Sequence, residues 1–100
     1  MDIKMSQFGS TLCTRLSGRK AYSIIDATLN STADIVVFDF EGVDSITNSF
    51  ADETFGRLAA EKGIGTLRSC TTFRNIDRNS ALLVRSVMER RMAFQAAACS

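Results

Sequence analysis

The sequence contains no histidine and no proline, only three cysteines, and no long hydrophobic run. Each shortage excludes something. Without histidine the commonest general base near neutral pH is missing, and with it Ser-His and Cys-His nucleophile pairs. That counts against hydrolase chemistry, and since nothing else in the chain matches a catalytic or metal motif, it is expected to be non-enzymatic. Cys13, Cys70 and Cys99 are odd in number, widely spaced and without a CxxC. A structural zinc site needs about four Cys/His ligands, so no metal or other cofactor is implied. The cysteines read instead as free thiols in a reducing cytosol. No apolar stretch approaches the roughly 18 residues that span a bilayer, and no basic segment precedes an apolar core at the N-terminus. Membrane insertion and secretion are thus not expected, and a cytoplasmic location is. With no proline, no repeat and no low-complexity tract, nothing marks a linker. The 100 residues read as one domain, 1–100, with a flexible tail over 96–100.

What is present is an ordinary globular composition, 45% hydrophobic and 23% charged. The net charge of +1 is unevenly spread. Residues 1–20 hold Asp2 against Lys4, Arg15, Arg19 and Lys20. Residues 21–56 hold seven acids and neither Lys nor Arg, and eight bases follow from Arg57 onward against Glu61, Asp77 and Glu89. Such blocks either neutralise one another across the folded surface or present an acidic face to a basic partner. The arginines of the C-terminal half raise a nucleic-acid reading. A near-neutral whole chain and the lack of a reading motif make it the weakest of the alternatives.

Ile35-Val-Val-Phe-Asp-Phe40 is the strongest local signal: a continuous β-branched and aromatic run, as in a strand covered on both faces. Before it, Ser17 is placed to cap a helix over 18–29, in which Ala21, Tyr22, Ile25, Thr28 and Leu29 recur at helical spacing. After it, Ser49 is placed to cap a helix over 50–59, with Asp52 completing a variant capping box. Gly63 marks that helix's end. A strand is expected over 67–74 and a third helix over 81–95, capped by Asn79 or Ser80. That helix would bury Leu83, Val84, Val87, Met88, Met92 and Phe94 and turn Arg85, Glu89, Arg90 and Arg91 mostly outward. Residues 2–5 and 11–15 read as weaker strands joined in a hairpin at Gly9-Ser10. The order is ββαβαβα, an α/β domain with a mixed sheet and helices mainly on one face. Gly63-Ile64-Gly65 is not a phosphate loop, since it follows a helix and lacks the Lys-Ser/Thr continuation.

The stretch Ile35-Val-Val-Phe-Asp-Phe-Glu-Gly-Val-Asp-Ser-Ile-Thr-Asn-Ser-Phe-Ala-Asp-Glu53 resembles the STAS signature. In that signature a strand ends in Asp, a Gly-Val turn follows, and a Ser-containing turn opens a helix. The resemblance spans about residues 11–95, its specific part being 35–58, and is nearest to compact STAS-like bacterial domains related to anti-sigma factor antagonists. It implies a regulatory protein-binding module whose partner is an ATP-binding kinase or an anti-sigma-like protein. The ten-residue spacing from Asp39 to Ser49 matches that between the family's strand Asp and its phosphorylatable Ser. Antagonists usually read Asp-Ser-Ser/Thr-Gly at this turn, where the present chain has Thr47-Asn48-Ser49-Phe50. Ser49 is thus the candidate phosphorylation site, and Asp39, Thr47, Asn48, Ser49, Phe50, Asp52 and Glu53 form the candidate partner-binding surface. Each has a plainer reading. Ser49 would be a helix cap, Asp39 would hold the loop after its strand, and Phe50 is an interface anchor if outward and core if inward. Asp39, Asp52 and Glu53 could bind a hard cation only if brought together. The alternative at the level of the whole molecule is a self-associating scaffold, such as a homodimer, without a switch.

Overall fold

The structure, a computed structural model, describes the backbone of residues 1–99 and the side chains of residues 1–92. The chain runs β1 (Asp2–Lys4), a 3-10 turn (Met5–Phe8), β2 (Thr11–Leu12), α1 (Arg15–Ser31), β3 (Val36–Asp39) and β4 (Ser45–Ile46). There follow α2 (Asn48–Ala51), a π-helical turn (Asp52–Gly56), α3 (Arg57–Lys62), α4 (Ile64–Cys70), β5 (Thr71–Arg74) and α5 (Arg78–Cys99). This is the α/β class expected, with one added short strand and one added helix.

The main sheet has the order β1-β3-β5, and every pairing in it is parallel. A second, two-stranded sheet pairs β2 with β4, also parallel. The sheets are therefore parallel rather than mixed. The hairpin expected at Gly9-Ser10 does not form: β1 pairs with β3 and β2 with β4, because the 3-10 turn after β1 leads the chain from one sheet to the other. From β1 to β3 to β5 the chain steps in one direction across the sheet. Crossovers of one hand then place their helices on one face. That face carries the core. Ile3, Phe38 and Phe73 align across the three strands. The Phe38 ring meets Phe55 edge-on at 5.3 Å, with Phe40 and Phe73 completing the cluster.

The opposite face carries Asp2, Lys4, Thr72 and Arg74, all exposed, with Val37 half-buried and Asp39 alone buried, under Arg74. Ile35 lies just before β3 and is 49% exposed. The expected two-sided burial of the 35–40 run is thus corrected. An unbroken apolar run does not say how many helical layers cover it.

Helix boundaries follow local hydrogen bonding. Thr14, not Ser17, caps α1, its hydroxyl accepting from the Ser17 N–H at 3.0 Å. Within α1, Ala21 and Ile25 are buried and Tyr22 and Leu29 half-buried, the periodicity read from the sequence. Gly63, at φ 86°, ends α3 by donating its N–H to the Ala59 carbonyl at 2.8 Å. The strand expected over 67–74 keeps only its second half. Residues 64–70 are helical, and the hydroxyls of Ser69 and Thr71 donate to carbonyls of that helix. α5 starts earlier than expected. Asp77 accepts from both the N–H and the hydroxyl of Ser80, so Asp77 and not Asn79 or Ser80 does the capping. Val84 and Val87 of α5 are buried, and Leu83, Met88 and Met92 are half-buried. α5 runs past the expected end at residue 95; the Phe94 and Cys99 side chains and the end of the expected tail at Ser100 lie outside what is described.

The π-helical turn is the junction of the helical layer. On one side α1 comes so close that a Cβ on Gly18 would lie 2.9 Å from the Glu53 Cβ and 3.0 Å from the Phe50 carbonyl oxygen. Thr54, fully buried, donates its hydroxyl to the Gly18 carbonyl at 2.9 Å. On the other side Gly56 meets α5, where a Cβ would stand 3.1 Å from Val87 Cγ1. In an open helix interior Gly to Ala stabilises by about 1 kcal/mol. Here the sign reverses: Gly18→Ala is expected to cost about 1–3 kcal/mol, the range for overpacking a filled core. Urea denaturation checks this, and a gain in stability would mean that α1 does not approach the turn closely.

Candidate functional site

The site grows from the end of β4. Thr47 is extended, and its N–H donates to the Leu12 carbonyl at 2.9 Å, tying the start of α2 to β2. Its hydroxyl oxygen accepts from the Phe50 N–H at 3.4 Å, and the hydroxyl is 3.2 Å from the Cys13 carbonyl that can take its proton. Thr47 is therefore the cap of this helix. Ser49 sits inside α2, so the cap lies two residues earlier than expected and the Ser49–Asp52 capping box does not form. The physical reason is that the parallel β2–β4 pairing fixes where the extended chain ends. Ser49 is left half-buried, its hydroxyl not needed for capping.

Phe50 points inward and is fully buried in the core. It is not an exposed anchor and leaves the candidate interface. Asp39 leaves it too. Only 3% exposed, it accepts from the Asn75 amide at 3.0 Å, the Glu41 N–H at 3.0 Å and Arg74 at 3.0 Å. Asn75 reaches it from a left-handed conformation, φ 58°. The carboxylate thus holds the loop after β3 and the end of β5, the plainer of its two readings. The Asn75 bond, then the Glu41 N–H and then the Arg74 guanidinium hold its carboxyl well below the usual carboxylate range. A lowered pKa means that these bonds stabilise the fold fully above the ordinary value of about 3.9, and that the stabilisation fades as pH falls through the lowered one. Asp39 is held instead by Arg74 and Asn75, and no group of three acidic or cysteine side chains among the described residues is placed to share a cation.

Asn48, Ser49, Asp52 and Glu53 do come together, and with partners from two other helices. Arg15 of α1 reaches Glu53 at 3.1 Å and Asp52 at 3.5 Å, and Arg19 reaches Glu53 at 3.5 Å. Arg91 of α5 pairs with Asp52 at 3.0 Å, and Arg90 donates to the Asn48 side-chain oxygen at 3.4 Å. These residues border a cleft of about 320 Å³ lined by Arg15, Asn48, Ser49, Asp52, Val87, Arg90 and Arg91. The charge blocks of the sequence thus meet and offset each other at this point. Lys62 with Asp26, at 3.1 Å, and Arg74 with Asp2, at 2.7 Å, do the same elsewhere. Such part-exposed pairs each contribute little stability, about 0–1 kcal/mol. Their role here is to position charge.

Arg15 and Arg19 come from the basic block of residues 1–20 that the sequence showed. Arg90 and Arg91, which the sequence turned mostly outward, were missed. The signal that could have found them was the basic block itself, seven acids having no base within their own segment. A larger cleft of about 400 Å³ lies between α4, β5 and α5, lined by apolar residues such as Leu67, Phe73, Val84 and Met88, and includes none of the expected site residues. Of the cysteines, Cys13 is exposed and Cys70 half-buried, both unbridged. No helix among the described residues is long and apolar enough to cross a membrane.

A parallel three-stranded sheet with helices on one face, and a split helix opening after a Gly-Val turn, define a STAS-like α/β domain. A family model described as "STAS-like domain of unknown function (DUF4325)" matches residues 17–81, and the chain belongs to that family. Neither the curated proteins nor the solved structures searched contain a match.

The reassigned cap gives a direct test. Thr47→Ala is expected to destabilise by roughly 1 kcal/mol or somewhat more, as for other lost caps. Ser49→Ala should stay within about 0.5 kcal/mol. Thermal or urea unfolding of the two variants decides between them, and the reverse order would restore Ser49 as the cap.

Proposed function

We propose that this domain is a non-enzymatic, cytoplasmic regulatory module that binds another protein through the surface around the start of α2, like the anti-sigma factor antagonists it resembles. The observation that carries this reading is the placement of Ser49. It is half-buried rather than sealed in the core, is released from capping by Thr47, and borders a cleft shared by α1, α2 and α5. The interaction surface is Asn48, Ser49, Asp52 and Glu53, joined by Arg15, Arg90 and Arg91. The partner is an ATP-binding kinase or anti-sigma-like protein, which transfers the γ-phosphoryl group of ATP to the Ser49 oxygen, with loss of the hydroxyl proton and release of ADP. Asp52 and Glu53 would repel a phosphate were they alone. Arg15, Arg19 and Arg91 offset both, which favours modification at this position.

A second reading has its own support. All-parallel sheets are as a rule covered on both faces, whereas here one face of the main sheet is open, with Ile35 49% exposed beside it. A homodimer packed through that face would be a scaffold without a switch.

Affinity capture from the native cytosol, with and without ATP, separates the two. The expected result is recovery of an ATP-binding protein by the unmodified domain, a phosphate on the Ser49 peptide when ATP is present, and capture weakened roughly tenfold or more by Ser49→Asp. A domain that elutes as a dimer and recovers no ATP-binding protein would overturn the switch in favour of the scaffold.

A further inference from the structure

The cleft beside Ser49 carries more positive charge than its own carboxylate offsets. Its lining brings three guanidinium groups, those of Arg15, Arg90 and Arg91, against the single carboxylate of Asp52. Glu53 is held by Arg15 together with Arg19. The described bonds of Arg15 and Arg91 to carboxylates all use Nη1, and a guanidinium has five donors in a rigid fork. Each therefore keeps donors for another acceptor. The partner of Arg90 is a neutral amide oxygen at 3.4 Å, near the limit of a hydrogen bond. Arg15 remains 55% exposed and Arg91 36%, so a ligand can reach them.

We propose that this cleft is a phosphoryl-binding site, in which Arg90, with Arg15 and Arg91, receives a dianion against Ser49 and Asn48. The charge selects the ligand class. Arg15, Arg19, Arg90 and Arg91 against Asp52 and Glu53 leave an excess of two cations, which a phosphoryl dianion matches and a lone carboxylate would half fill. Arginine is also the side chain whose planar fork fits phosphate oxygens in pairs. Because Arg15 lies on α1 and Arg90 and Arg91 on α5, a bound dianion would join three elements at one point. The same chemistry has two possible sources: a phosphate on Ser49 itself, or a phosphoryl group brought from outside. The inference rests on the reading of the α2 start as the functional surface, but it needs neither the partner nor a kinase.

The experiment uses the full chain in two forms at low salt. In one, phosphoserine is installed at position 49 during translation and titrated by phosphorus NMR. In the other, the unmodified protein is titrated with inorganic phosphate while the Ser49 amide and arginine Nε signals are followed. Each is repeated with Arg90→Gln and, as a second variant, Arg15→Gln. Nearby guanidinium groups should lower the second pKa of the phosphoserine from about 6 by roughly one unit, and Arg90→Gln should return it toward 6. That shift without saturable binding of free phosphate identifies Ser49 as the carrier. Saturable binding of free phosphate that Arg90→Gln abolishes identifies an external source. A phosphoserine titrating near 6, together with phosphate responses that are absent or unchanged in both variants, overturns the site. Since no partner is present in either measurement, failure to capture an ATP-binding protein would leave this result standing, and the reverse also holds.

Discussion

The π-helical turn Asp52–Gly56 is wedged between α1 and α5, and both approaches depend on a missing side chain. Gly18 lets α1 touch the turn, and Gly56 lets Val87 of α5 reach it from the other side. The buried bond from Thr54 to the Gly18 carbonyl fixes the first contact in register. Everything at the candidate site follows from this. With Gly18 against the turn, Arg15, one turn before it in α1, falls over Asp52 and Glu53, and Arg19, the next residue, reaches Glu53. With α5 seated at Gly56, its next turn delivers Arg90 and Arg91 to Asn48 and Asp52. π-turns are often found at functional positions in helices, since the extra residue redirects the side chains before it. Here Asn48 and Ser49 stand just before the turn, and Asp52 and Glu53 open it.

The two ends of the candidate surface separate for a related reason. Asp39 and Ser49 stand ten residues apart in a motif that looks continuous in sequence. In the fold, β4 turns the chain onto β2 between them, while Asp39 is captured by Arg74 and Asn75 at the end of β5. Asp39 is thereby a structural acid, bonded by three donors and buried. Of the candidate surface residues, those that remain accessible all lie at the start of the helix.

Much of this was legible in the sequence, where a local rule and the tertiary fold agreed. The β3 run, the buried stripe of α1, the Gly63 stop and the valines of α5 all follow from periodicity or from turn chemistry. The misreadings share a cause, which is that a long-range contact outranked a local preference. Ser49 resembles a cap, but pairing of β4 with β2 places Thr47 at that position. Residues 67–70 carry no decisive helical signal, and the stop at Gly63 allows a new turn to begin behind it. Phe50 stands where the related antagonists carry glycine, and nothing local says which way it points; the core behind β3 takes it in. Arg90 and Arg91 look solvated on their own helix and find acceptors only because Gly56 admits α5.

If the start of α2 is the binding surface, a partner should perturb it before any other part of the molecule. The direct measurement is an amide and arginine Nε NMR map of the labelled domain titrated with a captured partner. The expected shifts centre on Asn48, Ser49, Arg90 and Arg91 and leave Thr72 and Val37 on the open sheet face unmoved. Shifts confined to that open face, or to Phe73 and Met88 in the apolar cleft, with the Ser49 region silent, would contradict the account.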